Sequence, residues 1–448
     1  MVRTIKLKKG LDINLLGVAK QEKAIISRCE TYALMPSSFN GITPKVVVKE
    51  GDAVKSGSIL FVNKNCPELG FSSPVSGTIA AIVRGERRKV LSVVVKTDDE
   101  QQYIDFGKKN VAELTADEVM DSLLDAGLFG YINQRPFDIV ADPQVRPKAI
   151  FVSALRDMPL AANFDFELEG QEHYFQAGLT ALSKIAPTYL GIGKKQKSEA
   201  LQGMKDVTTT IFAGPCPAGN VGVQINHVAP INKGDVVWTV EPTAVIFFGR
   251  LFYDGIVDLR RTVAVAGSEV KKASYIETLV GTPLSVILKD NVTEGNNRII
   301  NGNPLTGTPV TCDETAYLGA HTSEICVIPE GSDNDEFVGW IMPRLNQFSI
   351  NRSYFSWLTG KKEYRLDARV KGGERHMIMS GEYDKVLPMD ILPEYLIKAI
   401  ITKDIDKMEQ LGIYEVAPED FALAEFVCSS KLELQKIVRN GIEMMINA

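Results

Sequence analysis

The chain has 448 residues, 45% of them hydrophobic, and a formal net charge of -6. That length suggests roughly three or four domains, each able to bury a core. The acidic balance argues against a nucleic-acid protein, because non-specific binding there rests on neutralising phosphates with a basic face.

The basic clusters, Arg84, Arg87, Arg88 and Lys89, then Lys194, Lys195 and Lys197, are short and read as solvated loop tips. The six cysteines, at 29, 66, 216, 312, 326 and 428, show no C-x-x-C spacing and sit in mostly apolar settings, as reduced thiols do. The amino terminus lacks the apolar core of a signal peptide. The best apolar window, Thr243 to Tyr253, is interrupted by Gly249 and Arg250 and falls short of a membrane span. Any membrane role is therefore expected to run through partners.

From Ile25 to Thr97 short alternating strands are punctuated by glycine, with Val46 to Phe61 and Ser73 to Ile82 each reading as strand, tight turn, strand. The pattern resembles the barrel-sandwich hybrid of biotinyl and lipoyl carriers. A carrier would place its modified Lys where this chain has Pro67, and Lys64 is out of register, so the module is expected to be structural. Val111, Leu114, Val119, Leu123, Leu124 and Leu128 have helical spacing, with Thr115 and Glu118 as a capping box.

The stretch Ala126 to Phe137 begins like a phosphate cradle, with Gly127 and Gly130, and then fills with Tyr131, Ile132, Asn133 and Gln134. A cradle needs clustered glycines so that backbone N–H groups can close on an anion. Phe129, Tyr131 and Phe137 make this stretch better suited to an apolar ring than to a dinucleotide.

From Lys148 apolar β runs alternate with helical ones: Lys148–Ser153 as a strand, Glu172–Ile185 as a helix, Val207–Ala213 as a strand, then the apolar segments Val236–Val240 and Ala244–Phe248. An α/β layer follows. The loop Gly214-Pro-Cys-Pro-Ala-Gly-Asn-Val-Gly sits where such sheets bind ligands, but Pro215 and Pro217 remove two donors and the G-x-G-x-x-G spacing is absent, so it reads as a structural turn. His227 behind it reads as a packing residue. Residues 262 to 311 read as hairpin, short helix and strand, resembling the soluble-ligand-binding β-grasp domain, with Thr282 capping the helix and Pro283 in its first turn.

These modules, in this order and over essentially the whole chain, resemble the NqrA family, the A subunits of the bacterial sodium-translocating NADH:quinone reductases. More distantly they resemble the C subunit of the Rnf complex and the flavoprotein subunit of complex I. The local markers are Gly51-Asp52, Ser73-Pro-Val-Ser-Gly77, Arg135-Pro-Phe137, Gly281-Thr-Pro-Leu284 and Leu387-Pro-Met-Asp-Ile-Leu-Pro393. The resemblance implies a multidomain α/β and α+β protein. Its expected parts are an N-terminal segment with the barrel-sandwich hybrid (1–100), a Rossmann-like α/β domain (101–257), a β-grasp domain (258–330) and a helical domain (331–448) derived from a cluster-binding fold.

The tail departs from the Rnf pattern. With Pro388 as the proline of a C-x2-C-x2-C-x3-C-P run, the ligand positions hold Met377, Ser380, Tyr383 and Leu387; a second run ending at Cys428 would have Pro418, Phe421 and Ala424. One cysteine of eight cannot hold a cluster, so no flavin, iron or metal is expected on this chain and Cys428 reads as a buried thiol. The resemblance then implies a peripheral subunit on the cytoplasmic face of the bacterial inner membrane, partnered by integral membrane subunits. It would contribute to quinone reduction coupled to Na+ export. The residues add where quinone is expected: near Phe129, Tyr131, Arg135 and Phe137, whose aromatic faces can stack on the ring while the Arg meets a carbonyl oxygen. The alternative is a cofactor-free docking subunit with no substrate site of its own.

Overall fold

The computed structural model describes residues 3–196, 198–311, 315–332, 344–352, 354–360 and 362–447, so Lys197 and Cys312 lie outside the described residues. Among the described residues, four sheets organise the chain. In the front module, strand alternation turns Phe61, Leu69, Phe71, Ile79, Val93 and Val95 into one buried core, and Leu60, on the other face of its strand, is buried as well. That core is shared by a four-stranded sheet in the order Thr31–Leu34, Val90–Thr97, Gly77–Arg84, Ala53–Val54 and a three-stranded sheet in the order Pro44–Val46, Ile59–Asn63, Cys66–Ser72. Lys64 stands exposed in the two-residue turn that joins the last two of these strands, and Pro67 lies in the strand after it.

The seven-stranded sheet runs Arg3–Lys6, Thr208–Ala213, Thr188–Gly193, Ala149–Ser153, Val237–Val240, Ile132–Arg135, Ile139–Val140. The first five are parallel and the last two antiparallel. Parallel strands need both faces covered. Helices Ala116–Asp125, Glu172–Ile185 and Pro242–Asp254 share one core, while Val221–Val228 contributes Ile225 to a separate cluster with Ala149, Phe151 and Val237. The Thr115–Glu118 capping box is present. The apolar segment Ala244–Phe248 is the middle of Pro242–Asp254, a helix buried from Pro242 to Phe252. It approaches Glu172–Ile185 closely because each helix offers a glycine: a Cβ on Gly178 would stand 2.1 Å from the Val245 carbonyl, and one on Gly249 would stand 1.8 Å from that of Tyr174.

The third module is a six-stranded mixed sheet, Thr308–Val310, Asn297–Asn301, Glu324–Pro329, Arg260–Ala266, Ser274–Leu279, Lys20–Ile25, with the short helix Leu284–Ile287 packed into its own core. One expectation fails here. Pro283, not Thr282, holds the N-cap position, and the Thr282 hydroxyl bonds Thr278 and the Leu279 carbonyl instead.

The C-terminal region packs helices Tyr383–Val386, Pro393–Ile401, Ile405–Gln410, Ala422–Val427 and Leu434–Ile446 around Leu396, Ile400, Val438 and Ile442. Two positions aligned with cluster ligands meet there: the Tyr383 hydroxyl lies 3.0 Å from the Cys428 sulfur, both buried. The five described cysteines are all free.

Candidate functional site

In the parallel part of the large sheet the chain runs from Ala149–Ser153 outward through Thr188–Gly193 to Thr208–Ala213, then returns to the other side of Ala149–Ser153 as Val237–Val240. Strand order reverses between Ser153 and Val240, and open α/β sheets bind ligands at the carboxyl ends of strands where that happens. A cleft of about 390 Å³ opens there. Its walls are the turn after Ser153 (Leu155, Arg156, Asp157, Met158), the turn after Val240 (Glu241, Pro242), the β-grasp residues Asn301 to Asn303 and His321 to Glu324, and Glu419 from the C-terminal region.

The lining is acidic: Asp138, Asp157, Glu241, Glu324 and Glu419 face two guanidinium groups, Arg135 and Arg156. Both arginines are already engaged. Arg156 bonds Glu167 at 2.7 Å and Thr243 at 2.8 Å. Arg135 reaches Glu419 at 2.9 Å, Asp420 at 3.3 Å and Asp138 at 3.8 Å. Burial pushes the carboxyls of Glu324 and Glu419 up, in the second case against the pull of Arg135. Burial also raises Asp157 to about 6, although it accepts the Gly219 N–H. Glu241 is the exception: burial would raise it, but His321, Arg261 and Arg156 together hold it low.

The loop from Gly214 to Gly222 is approached by the protein's own acids. Asp157 accepts the Gly219 N–H at 3.0 Å, and the Asp420 carboxylate lies so close that a Cβ on Gly222 would stand 2.5 Å from it. The N-terminal end of helix Val221–Val228 therefore meets negative charge from the same chain, where a phosphate would otherwise profit from the helix dipole. In that helix the His227 Nδ1 lies 2.9 Å from the Val223 carbonyl of the preceding turn.

The four residues singled out by sequence do not form one pocket. Phe129 is fully buried edge-on against Trp238. Tyr131 is buried one layer behind the cleft, against Phe39, Phe247 and His321, and its hydroxyl has no partner. Arg135 lines the cleft, with its guanidinium held by carboxylates. Phe137 turns the other way, onto Tyr414. The two glycines of that stretch serve packing: a Cβ on Gly130 would stand 2.3 Å from the Phe71 ring, and one on Gly127 would stand 2.9 Å from the Ser72 nitrogen, so both let the barrel module close on the α/β domain.

His321 escaped the sequence reading, because nothing in Ala320-His-Thr-Ser marks it. It sits edge-on to Phe39, with Nδ1 3.6 Å from Glu241, and neither ring nitrogen has a hydrogen-bond partner.

Among the described residues, no group of three or more His, Cys, Asp or Glu side chains could hold a metal ion. Fold and site together define a multidomain α/β protein with an acid-lined cleft at the sheet's switch point. Residues 5–98 match the NqrA N-terminal barrel-sandwich hybrid domain, 114–257 the NqrA second alpha/beta domain and 262–311 the NQRA C-terminal domain. The A subunits of Na(+)-translocating NADH-quinone reductases are similar throughout. That of Neisseria meningitidis serogroup B is 34% identical over 442 residues, and that of Pseudomonas aeruginosa PAO1 is also 34% identical over 442 residues, each alignment covering 98% of both chains. A chain of the NAD+-reducing NiFe hydrogenase aligns with TM-score 0.38 at 14% identity over 74% of this chain and 61% of that one, too slight a likeness to carry an argument. The chain belongs to the NqrA family, the A subunits of the Na(+)-translocating NADH-quinone reductases, which is the family expected from its motifs.

Proposed function

We propose that this chain works as a peripheral, cofactor-free subunit of a Na+-translocating NADH:quinone reductase and that the switch-point cleft receives the ring of a quinone. The observation that carries this is the charge of the cleft. Its carboxylates repel a dinucleotide phosphate, and one of them, Asp157, already takes the Gly219 N–H that such a phosphate would use. A neutral ring meets no such penalty. Asn133, Asn301, Asn303 and Thr322 bring polar side chains to the lining, where Leu155, Met158 and Val240 supply apolar surface. An acidic wall also disfavours a reduced quinone anion, so electron arrival there is coupled to proton uptake, with Asp157, Glu324 and Glu419 raised toward protonation by burial.

In this reading NADH is oxidised, and flavin and iron–sulfur centres are carried, by partner subunits; Na+ passes through membrane subunits; and this chain lies at the cytoplasmic face. No described helix is long and apolar enough to cross a membrane. The test is titration of the purified chain with a water-soluble benzoquinone and with NADH. Quinone binding without NADH binding and without visible absorbance from flavin or iron is the expected result; saturable NADH binding or a bound chromophore overturns the reading.

A docking role is favoured by a separate observation. Helix Pro393–Ile401 buries Leu396, Ile397 and Ile400, yet leaves Leu392, Tyr395 and Ile401 exposed beside exposed Ile405. An amphipathic surface helix normally turns a polar face outward. If docking is the chain's whole task, Tyr395→Ser with Ile401→Ser abolishes co-purification with membrane partners while no quinone binding is found in any variant.

A further inference from the structure

Between Arg344 and Lys362 the chain carries four Lys or Arg, four aromatic residues and no Asp or Glu, within a protein of net charge -6. Both ends of the stretch are fastened. Phe348 packs on Tyr364 and Phe426, and Lys362 donates to the Leu345 carbonyl at 2.9 Å and to Asn346 Oδ1 at 2.7 Å. The middle is turned inside out. In the short helix Phe355–Thr359, Ser356 is 1% exposed, whereas Phe355, Trp357 and Leu358 are 52%, 48% and 63% exposed. A serine buried while three large apolar side chains stand in water is the reverse of what burial normally selects. Two of the cations lie over aromatic rings, Arg352 at 5.2 Å from the Trp357 ring centre and Arg344 at 5.4 Å from that of Tyr354. The acids at the border are Glu363, next in the chain after Lys362, and Glu382, which accepts the Asn351 amide at 3.2 Å.

A surface that offers apolar rings and cations together fits the headgroup layer of an anionic membrane, where Trp settles at the interface and neighbouring Lys and Arg meet lipid phosphate. We propose that Phe355, Trp357 and Leu358 enter the interface of a bilayer containing anionic phospholipid, with Arg344, Arg352 and Lys362 against the headgroup phosphates. This rests on the reading of the chain as a peripheral subunit at a membrane and names the surface that touches lipid. Charge selects the occupant. The exposed apolar patch on helix Pro393–Ile401 has Lys398, Lys403 and Lys407 around it in sequence, but also Glu394, Asp404, Asp406 and Glu409, a mixed set that suits a protein face. The hairpin tip at Arg84, Arg87, Arg88 and Lys89 has the cations, with Leu91 as its exposed large apolar neighbour. The stretch 344–362 combines cations with three adjoining apolar side chains. An anionic membrane repels an acidic protein as a whole, so attraction there is confined to the orientation that presents such a stretch.

The experiment sediments the purified full chain with vesicles of phosphatidylcholine and with vesicles that also contain phosphatidylglycerol. The wild type is expected to bind the second kind about tenfold or more tightly than the first, and to be released by added salt. Each cation near an anionic surface counts for about fivefold, so Arg344→Glu with Arg352→Glu is expected to weaken binding about a hundredfold or more. Phe355→Ser with Trp357→Ser and Leu358→Ser is expected to weaken it about as much. Melting temperatures show that the fold is kept; should the triple variant melt early, Leu358→Asp alone, at the most exposed of the three positions, carries the test. Equal binding to both kinds of vesicle, or binding that survives in both variants, overturns the proposal. Loss of binding in Arg87→Glu with Arg88→Glu but not in the other variants moves the site to the hairpin tip and overturns it too. If the wild type ignores vesicles yet co-purifies in detergent with membrane subunits through this stretch, the surface is a protein contact: the lipid proposal falls and the peripheral reading stands. A chain that binds neither vesicles nor subunits sinks both.

Discussion

Asp157 offers the sharpest test of how the cleft is built. One carboxylate oxygen accepts the Gly219 N–H at 3.0 Å and the other is buried with no partner. Burial, with Asp12 adding like charge, raises the group from 3.8 to about 6. A carboxyl whose folded value is raised favours the folded state when protonated. This group's contribution to stability is therefore greatest below about pH 4 and falls as pH climbs from about 4 to about 6, because the folded protein there binds more protons at Asp157 than the unfolded one. The shift of about two units corresponds to about 3 kcal/mol of lost stability at neutral pH. Asp157→Asn keeps an oxygen for Gly219 and has no charge to bury. Its stability advantage over the wild type is expected to grow from about 1 kcal/mol near pH 4.5 to about 3 kcal/mol near pH 7.5. Paired denaturation of the two proteins at each pH measures this, and other titrating groups cancel in the comparison. An advantage that does not change with pH, or a less stable variant at pH 7.5, refutes the placement of an ionised Asp157 in a dry wall.

Arg135→Ala leaves Asp138, Glu419 and Asp420 facing one another without their cation, and a loss of about 3–5 kcal/mol is expected, as for other broken buried pairs. Calorimetry of the variant checks it, and a change under 1 kcal/mol would show the cluster to be solvated. Phe129→Ala empties a fully buried ring site and is expected to cost about 3–5 kcal/mol, read by the same melts. Affinity for a water-soluble benzoquinone, measured where that variant is folded, should not change, because Phe129 packs on Trp238 and does not line the cleft. At mild alkaline pH a thiol reagent is expected to modify Cys66 before Cys29, Cys216, Cys326 or Cys428, since the last four are buried and burial raises the thiols of Cys216 and Cys326 strongly.

Sequence patterning located what local physics decides. The Thr115 cap, helix Glu172–Ile185 and the strands at 149–153 and 208–213 are each specified by residues close in the chain, and each was legible. The site was less so. Phe129, Tyr131, Arg135 and Phe137 are neighbours in sequence, but the first two sit in a helical turn within one core, Arg135 ends a strand, and positive φ angles of 84° at Phe137 and 52° at Asp138 turn the chain, so that Phe137 joins another core. The cleft is assembled from residues as distant as Asn133, Asp157, Glu241, His321 and Glu419. No pattern within one stretch of chain announces such a convergence. The glycines alone could not have decided it: open space for a phosphate and open space for a neighbouring ring, here Phe71, make the same demand on sequence.

The opening residues carry a further consequence. Arg3–Lys6 forms the edge of the seven-stranded sheet beside Thr208–Ala213, and Lys20–Ile25 completes the β-grasp sheet beside Ser274–Leu279. These two strands thus find their partners only far along the chain, and in pairing they bolt two later modules together. A fragment that begins at the barrel would lose an outer strand from each of those sheets at once, so dividing this protein at its apparent module borders should yield sticky, incomplete pieces.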